Sequence, residues 1–165
     1  MKGHVILSHG SESGPDATKV TVLAAVAESL GYSAERPDYR GMDDPLARRD
    51  LLLARCRAAY DPVILVGSSL GSYISGLASL QTPVVALFLM VPPLNLGEGY
   101  PPFDCARVPL VVVHAWHDEL IPERGVIAWC ETRSTPLHLV DDTHRLSNHV
   151  ATIAAWFEEF LRSRA

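Results

Sequence analysis

The sequence predicts an α/β fold with three layers, in which helices cover both faces of a parallel sheet. Short β-branched apolar runs alternate with longer amphipathic stretches along the chain, as they do in β-α units. Most of these runs are continuously apolar, which is typical of strands covered on both faces. The length of 165 residues suits one domain, and neither a repeat nor a linker divides it. We therefore expect a single domain over residues 1–165.

Six apolar runs are predicted as strands, and the second of them is the weakest. They are His4–Ser8, Ser33–Arg36, Val63–Val66, Val84–Leu89, Leu110–His114 and Leu137–Val140.

Most of the segments between the predicted strands have apolar residues at the spacing of an α-helix. The stretch Val20–Leu30 has apolar residues three and four positions apart and ends at Gly31. A second helix begins at Asp43 or Asp44, with Pro45 in its first turn. Three more helices are predicted: one with Leu70, Ile74 and Leu77, one opened by Pro122, and a last one with apolar residues from Val150 to Leu161.

One connection has no helical pattern. The segment Val91–Val108 is rich in Pro and Gly and is long for a loop inside a compact domain. Long loops of this kind often carry function, so we expect this segment to take part in the site.

Charge, cysteine content and hydropathy exclude several classes of protein. The net charge is −5 and the basic residues are scattered, so nucleic acid is not expected as a partner. Cys56, Cys105 and Cys130 have neither a disulfide framework nor metal-ligand spacing, which favours reduced thiols in the cytoplasm. The apolar run Val5–Leu7 is far too short for a signal peptide or a spanning helix, so no membrane association is expected.

The most informative motif follows the third predicted strand. Gly67, Ser69 and Gly71 form G-x-S-x-G between that strand and a helix, the setting of a nucleophile elbow. A serine on such a sharp turn leaves no room for side chains two residues before and after it, which explains both glycines. The motif therefore predicts Ser69 as a nucleophile at the carboxyl edge of the sheet.

A serine nucleophile needs a base, and His144 is the best candidate among seven histidines. It follows the last predicted strand, at the same edge of the sheet as Ser69. His149 is the competitor, but it falls in the first turn of the final helix. The other candidates lie in or beside strands, where packed or hydrogen-bonded imidazoles are favoured: His4, His9, His114 and His138.

The base in turn needs an acid that fixes its tautomer, and Asp118 follows the fifth strand at the same edge. Asp141 and Asp142 are too close to His144 in sequence to orient it comfortably. His114 and His117 form H-x-x-H beside Asp118, but no further ligands cluster with them. We therefore expect no metal and no organic cofactor.

Ser69, Asp118 and His144 occur in the chain order Ser, Asp, His, each after a strand. Together with the segments SHGSESG, GSSLGS, HAWHDELIP and DDTHRL, this order makes the chain similar to a small α/β-hydrolase without a lid. The resemblance covers nearly all of the chain and is more specific than any one segment.

This resemblance implies a six-stranded sheet with the order 2-1-3-4-5-6 and no cap domain. It also implies an oxyanion hole formed by the backbone N–H groups of Leu70 and Ser11. Glu12 lies beside the second donor; its carboxylate would disfavour an oxyanion if it pointed inward, whereas a solvated loop glutamate would not. Tyr100 and Phe103 are candidate contacts in a shallow pocket bounded by the irregular loop, or else they cover the sheet.

The function implied is that of a serine hydrolase acting on a small ester or thioester through an acyl-enzyme intermediate. The expected partner is a small acyl substrate, and homodimerisation is left open. Acyl transfer to an acceptor other than water would use the same residues. An interaction protein on the same fold is the alternative from another class, although the presence of all three residues argues against it.

Overall fold

The computed structural model describes residues 2–164, and within them it contains six strands and five helices. A helix follows every strand except the fourth, from which the chain passes directly to the fifth strand through a long loop. The elements are β1 (His4–Ser8), α1 (Thr18–Ser29), β2 (Ser33–Glu35), α2 (Pro45–Ala58), β3 (Val63–Ser68), α3 (Leu70–Ser79), β4 (Ala86–Met90), β5 (Leu110–Ala115), α4 (Glu123–Arg133), β6 (Leu137–Val140) and α5 (Val150–Arg162).

All six strands pair in parallel in the order β2-β1-β3-β4-β5-β6, which confirms the predicted sheet. No inserted domain covers the carboxyl ends of the strands in residues 2–164, as predicted. The central strands β3 and β4 are buried along their whole length, because neighbouring strands flank them and helices cover both of their faces.

The side chains of successive strand residues enter two separate cores. Val5 and Leu7 of β1 face the layer that contains α1 and α5, whereas Ile6 faces the layer that contains α2, α3 and α4. Val66 of β3 and Phe88 of β4 extend the first core, and Phe88 packs edge-on against Phe157 of α5. The predicted three-layer arrangement therefore follows from the period of two along each strand.

The chain changes direction between β1 and β3. From β1 it crosses to the edge strand β2 and then returns to pair β3 with the other side of β1. The helices that follow β1 and β3 lie on opposite faces of the sheet, so the loops that lead to them diverge. A crevice opens between such loops at the carboxyl edge, and ligands bind there in open α/β sheets.

Four strands differ from their predicted bounds by one or two residues. The second strand ends at Glu35, one residue early, and the fifth continues to Ala115, one residue further. The third strand continues to Ser68, two residues beyond its apolar run, because residues 67 and 68 still pair with β4. The fourth strand begins at Ala86 and reaches Met90, whereas Val85 before it is 47% exposed. Residues 91–108 contain neither helix nor strand, as predicted.

The described chain holds three free, buried cysteines, Cys56, Cys105 and Cys130. In residues 2–164 no helix has both the length and the apolar character needed to cross a membrane.

Candidate active site

Ser69 lies at the turn between β3 and α3 in a conformation that few non-glycine residues adopt, with φ +55° and ψ −119°. Its N–H donates to the carbonyl oxygen of Met90 at 3.0 Å. The hydroxyl of Ser72 bonds to the carbonyl oxygens of Gly67 at 2.8 Å and of Met90 at 2.7 Å. These bonds tie the turn to β4 and hold the strained residue in place.

The two glycines of the motif are required by the close approach of the backbone. A Cβ at Gly67 would lie 2.3 Å from the carbonyl oxygen of Gly71, and a Cβ at Gly71 would lie 2.0 Å from the carbonyl oxygen of Ser8. No side chain fits at either distance. The steric explanation inferred from the sequence therefore agrees with the structure.

The structure brings Ser69, His144 and Asp118 into one hydrogen-bonded chain. Nε2 of His144 lies 2.9 Å from Oγ of Ser69, and its Nδ1 lies 2.7 Å from Oδ2 of Asp118. Because the Asp118 carboxylate only accepts, Nδ1 carries the proton and the neutral ring has Nε2 free to accept the serine hydroxyl proton. This is the arrangement in which an imidazole can activate a serine.

Asp118 is held by its own surroundings as well as by His144. Its side chain is fully buried, and Oδ1 accepts the N–H groups of Leu120 at 2.9 Å and Ile121 at 2.8 Å. Burial opposes ionisation, but the hydrogen bonds from His144 and from these two N–H groups outweigh it. Together they keep the pKa of Asp118 below its ordinary value. The acid therefore stays a carboxylate at neutral pH.

A second imidazole, His114, lies on the other side of Asp118. Its Nε2 donates to the carbonyl oxygen of Ile121 at 2.9 Å and is 3.5 Å from Oδ2 of Asp118. Burial lowers the pKa of His114, so this ring remains neutral beside the carboxylate. His117 instead lies in solvent and pairs with Asp141 at 2.9 Å. The two histidines of the H-x-x-H pattern are thus separated, and the described residues contain no metal-ligating cluster.

The loop that carries His144 is organised by Asp142, a role that sequence reasoning missed. Oδ1 of Asp142 accepts the N–H of Thr143 at 2.7 Å, and Oδ2 accepts the N–H of Asn148 at 2.9 Å and Nδ1–H of His149 at 2.8 Å. His149 is therefore bound to Asp142 and not to Ser69. The one signal in the sequence is a second acid two residues before His144, a spacing too short to orient the ring comfortably but suited to holding the loop.

The two predicted oxyanion donors lie on either side of Ser69. Leu70 is the first residue of α3, where a backbone N–H has no acceptor within its own helix. Ser11 is in the loop after β1, and it lines the same cavity as Ser69. Gly10, which precedes it, lies so close that an added Cβ would be 3.5 Å from Cβ of Ser69. The backbone therefore brings both loops to the serine.

His9, interpreted from the sequence as a packed imidazole, holds the loop after β1. Its Nε2 accepts the N–H of Tyr39 at 2.9 Å, so its Nδ1 carries the proton and donates to the carbonyl oxygen of Gly10 at 2.7 Å. Burial lowers the pKa of His9 and keeps the ring neutral. The hydroxyl of Tyr39 in turn bonds to Oγ of Ser8 at 2.8 Å. No motif in the sequence indicates this contribution from Tyr39.

A cavity of about 580 Å³ opens on Ser69 and His144. Its walls come from the loop after β1, the start of α1, and the loops after β5 and β6. Ser11 and Glu12 are among its lining residues. Its apolar lining consists of Ala17, Val20, Leu120 and Val150.

Tyr100 and Phe103 do not line this cavity, which corrects the predicted pocket wall. Phe103 is buried and packs against Trp129 of α4, with ring centroids 4.9 Å apart. Arg133 of α4 binds Asp104 at 2.9 Å and so ties the loop to that helix. The irregular loop thus packs against α3 and α4, and Phe103 fills the core on that side of the sheet instead of lining the cavity, whereas Tyr100 is exposed.

Side chains of both charges line the cavity. Nζ of Lys19 donates to the carbonyl oxygen of Arg145 at 2.6 Å, and both residues line the wall beside His144. Burial, followed by the charge of Arg145, lowers the pKa of Lys19. Within residues 2–164 neither cation has a carboxylate oxygen within 4.0 Å. Glu12 and Glu119 also line the cavity, and both are exposed.

No protein-family model matches the chain, and no curated protein matches its sequence. Comparison with solved structures gives clear matches. A candidate hydrolase of the α/β superfamily from Xanthomonas campestris pv. campestris is 54% identical, covers 98% of this chain and 99% of its own, and superimposes with a TM-score of 0.95.

Two more distant structures share the fold. An α/β serine hydrolase homologue from Coxiella burnetii is 23% identical over 98% of this chain and 86% of its own, with a TM-score of 0.83. An α/β serine hydrolase without a lid from Xanthomonas campestris is 20% identical over 96% of this chain and 81% of its own, with a TM-score of 0.79. The match to the candidate hydrolase of the α/β superfamily, at 54% identity over 98% of this chain, establishes kinship, and the chain belongs to the α/β-hydrolase superfamily.

Proposed function

We propose that the protein is a serine hydrolase that cleaves small esters or thioesters through an acyl-enzyme intermediate. The observation that carries this proposal is the hydrogen-bonded chain from Ser69 through His144 to Asp118, which opens on the cavity. Membership of the superfamily supports the hydrolase class. The substrate and the covalent intermediate are inferred from the geometry of the site.

In the first half of the reaction, Nε2 of His144 takes the hydroxyl proton as Oγ of Ser69 attacks the carbonyl carbon. The negative charge that develops on the carbonyl oxygen is stabilised by the N–H groups of Ser11 and Leu70 and by the amino end of α3. Asp118 remains ionised and stabilises the imidazolium. The bond to the leaving group then breaks, and His144 returns its proton to the departing alcohol or thiol.

In the second half, a water molecule enters at the place that the leaving group has vacated. His144 removes a proton from this water as its oxygen attacks the acyl carbon, and a second oxyanion forms at the same donors. When this intermediate collapses, Oγ of Ser69 recovers its proton from His144 and the carboxylic acid is released. The net reaction consumes one water molecule, and it requires no metal and no organic cofactor.

The cavity supports a short acyl group. Its volume of about 580 Å³ is within the usual range of small-molecule sites, and no lid within residues 2–164 encloses it. We expect kcat/KM for p-nitrophenyl esters to be highest for acetate to butyrate and to fall for longer chains. A steady rise from acetate to palmitate, measured below the concentrations at which the esters aggregate, would contradict this expectation.

The positive side of the cavity supports acyl groups that carry a carboxylate. Lys19 uses one of its three donors on the carbonyl oxygen of Arg145, which leaves two donors for a ligand. Glu119 accepts the backbone N–H of His144 at 3.2 Å. Because neither Lys19 nor Arg145 is paired with a carboxylate in the described part of the chain, a carboxylate at the far end of the acyl chain would meet the ammonium group of Lys19 and the guanidinium of Arg145.

This substrate preference can be tested with monoethyl succinate and ethyl butyrate, whose acyl chains are equal in length, by following acid release in a pH-stat. We expect the wild type to favour the succinate ester. Lys19→Met should lower the ratio of the two kcat/KM values about fivefold, equivalent to about 1 kcal/mol, with the butyrate rate unchanged. Lys2→Met, an exposed lysine away from the cavity, is the matched control. A ratio that does not change in Lys19→Met would exclude this role for the ammonium group.

A further inference from the structure

Arg48 is a charged residue buried without a charged partner. It lies on α2 and is only 4% exposed. In the part of the chain that the structure describes, no carboxylate oxygen lies within 4.0 Å of its nitrogen atoms, although the arginines at positions 49 and 55 of the same helix both form ion pairs. Burying an unpaired charge is costly, so the neighbours of the guanidinium must replace the hydrogen bonds that it would make with water.

The side chain of Arg48 makes its contacts with two loops, the loop after β1 and the loop after β2. Nε–H of Arg48 donates to the carbonyl oxygen of Met42 at 2.8 Å, and Nη1 donates to the carbonyl oxygen of Gly10 at 3.3 Å. The guanidinium carbon lies 5.8 Å from the centre of the Tyr39 ring. Arg48 therefore joins the loop after β2 to the loop after β1, which carries the oxyanion donor Ser11.

The contact with Gly10 fixes the direction of the next N–H group. The described residues contain no cis peptide bond, so the C=O of Gly10 and the N–H of Ser11 point in opposite directions. Three donors surround that carbonyl oxygen: Nδ1 of His9 at 2.7 Å, Nη1 of Arg48 at 3.3 Å and Oγ of Ser13 at 3.4 Å. With the carbonyl side occupied, the N–H of Ser11 is directed to the opposite side of the peptide.

We propose that Arg48 is a positioning residue for the oxyanion hole, acting on the substrate only through the Gly10–Ser11 peptide. Its guanidinium holds this peptide in one orientation, and its positive charge draws electron density toward the carbonyl oxygen. A peptide polarised in this way is a stronger N–H donor on its other side, where charge develops on the substrate oxygen. This inference rests on the proposed function, because it requires an oxyanion at Ser11.

A purely structural role for Arg48 predicts a different result. If the side chain only connected two loops, its loss would lower stability but would not selectively weaken the binding of an oxyanion. The two roles are separated by a trifluoromethyl ketone, which forms a reversible adduct with a catalytic serine and places a negatively charged oxygen in the oxyanion hole.

The experiment compares Arg48→Met with Arg57→Met, an exposed arginine on the same helix. We measure kcat and KM for p-nitrophenyl acetate, the inhibition constant of the ketone, and the thermal unfolding midpoint. Arg48→Met should lower kcat by about 10-fold to 100-fold, less than the loss seen when an oxyanion donor is removed outright. KM should stay within about threefold, and the inhibition constant should rise by the same factor as kcat falls. Arg57→Met should leave all of these values unchanged.

Two further variants keep the test decisive if Arg48→Met does not fold. Arg48→Gln retains a hydrogen-bond donor without the charge, and Arg48→Lys retains the charge. We expect Arg48→Lys to bind the ketone several times more tightly than Arg48→Gln. Equal inhibition constants for these two variants, or a folded Arg48→Met with the wild-type constant, would overturn the inference. A wild type that neither hydrolyses the ester nor reacts with the ketone would instead refute the proposed function, and the inference would fall with it.

Discussion

Ser69 combines the proposed nucleophilic hydroxyl with a strained backbone. Its φ of +55° and ψ of −119° are unfavourable for any residue with a Cβ, and such strain costs on the order of 1–3 kcal/mol. The bonds of Ser72 to Gly67 and Met90 oppose the relaxation of the turn. The strain is therefore retained at the position where the hydroxyl must project from the sheet.

This strain predicts a difference between two inactive variants. Ser69→Gly and Ser69→Ala both remove the hydroxyl, but only glycine relieves the positive φ. We expect Ser69→Gly to have a free energy of unfolding about 1 kcal/mol higher than Ser69→Ala, as measured by urea denaturation. If the alanine variant is equally stable, the turn does not store strain at this residue.

The two histidines near the last helix should behave differently on substitution. His144→Ala removes the group that contacts Ser69 and Asp118, so we expect at least a 1000-fold loss of kcat. His149→Ala removes a bond to Asp142 only and should keep a substantial fraction of the activity, with about 1 kcal/mol lower stability. Esterase rates for the two purified variants check this, and the reverse pattern would assign the base to His149.

Buried polar groups hold the loops of the site in shape. The loop after β6 folds around the carboxylate of Asp142, and the loop after β5 folds around that of Asp118. Burial opposes the ionisation of Asp142, but bonds from His149, Thr143 and Asn148 hold its pKa below the ordinary value. A group whose pKa is lower in the folded state stabilises the protein above its unfolded pKa, and this contribution is lost as the pH falls.

Asp142→Asn should therefore be destabilising in a pH-dependent way. At pH 7 we expect its free energy of unfolding to be about 1–3 kcal/mol below that of the wild type, and the difference should shrink as the pH falls below about 4. Denaturation curves from pH 7 to pH 3 measure this. The control is Asp141→Asn, whose exposed pairing with His117 should contribute little at any pH. A difference that is constant with pH would show that the charge of Asp142 is not what holds the loop.

The apolar wall of the cavity is formed in part by Leu120 in the loop after β5, and not by Tyr100 in the loop 91–108. Leu120 is 68% exposed, so its side chain is free to contact an acyl chain. Leu120→Ala should lower kcat/KM for p-nitrophenyl butyrate relative to acetate about threefold to tenfold, because the longer chain loses an apolar contact. Tyr100→Ala should leave this ratio unchanged. A change confined to Tyr100→Ala would return the pocket wall to the irregular loop.

The sheet and the hydrogen-bonded group of Ser69, His144 and Asp118 could be predicted from the sequence because their signals are local. Continuous apolar runs mark the strands, and the carboxyl ends of parallel strands meet at one edge. The residues that directly follow β3, β5 and β6 must therefore be close together. Ser69, Asp118 and His144 satisfy this condition and also have the residue types that the chemistry needs.

The contacts of His9 and Arg48 could not be predicted in this way because they join residues that are far apart in sequence. Tyr39 and His9 are 30 residues apart and Arg48 and Gly10 are 38 apart, and no periodicity or motif relates them. The position of Phe103 was ambiguous for another reason. An aromatic residue in a loop can line a pocket or fill a core, and the binding of Arg133 to Asp104 that decides between them is visible only in three dimensions.

The course of the chain places these groups around one opening. The crossing from β1 to β2 and back to β3 sends two loops in opposite directions, so Ser11 and Ser69 face a common cavity. The fold supplies the opening, the buried polar groups fix the loops, and the strained turn presents the hydroxyl. We propose that together these parts make Ser69 a nucleophile.

Intact-protein mass spectrometry after reaction with a fluorophosphonate tests this claim most directly. The wild type should gain the mass of one phosphonyl group, located on Ser69 by peptide mapping, and both Ser69→Ala and His144→Ala should show no gain in the same time. Ser68→Ala, which alters the neighbouring hydroxyl, should react like the wild type. An unreactive wild type, or a label that persists in Ser69→Ala, would contradict the account.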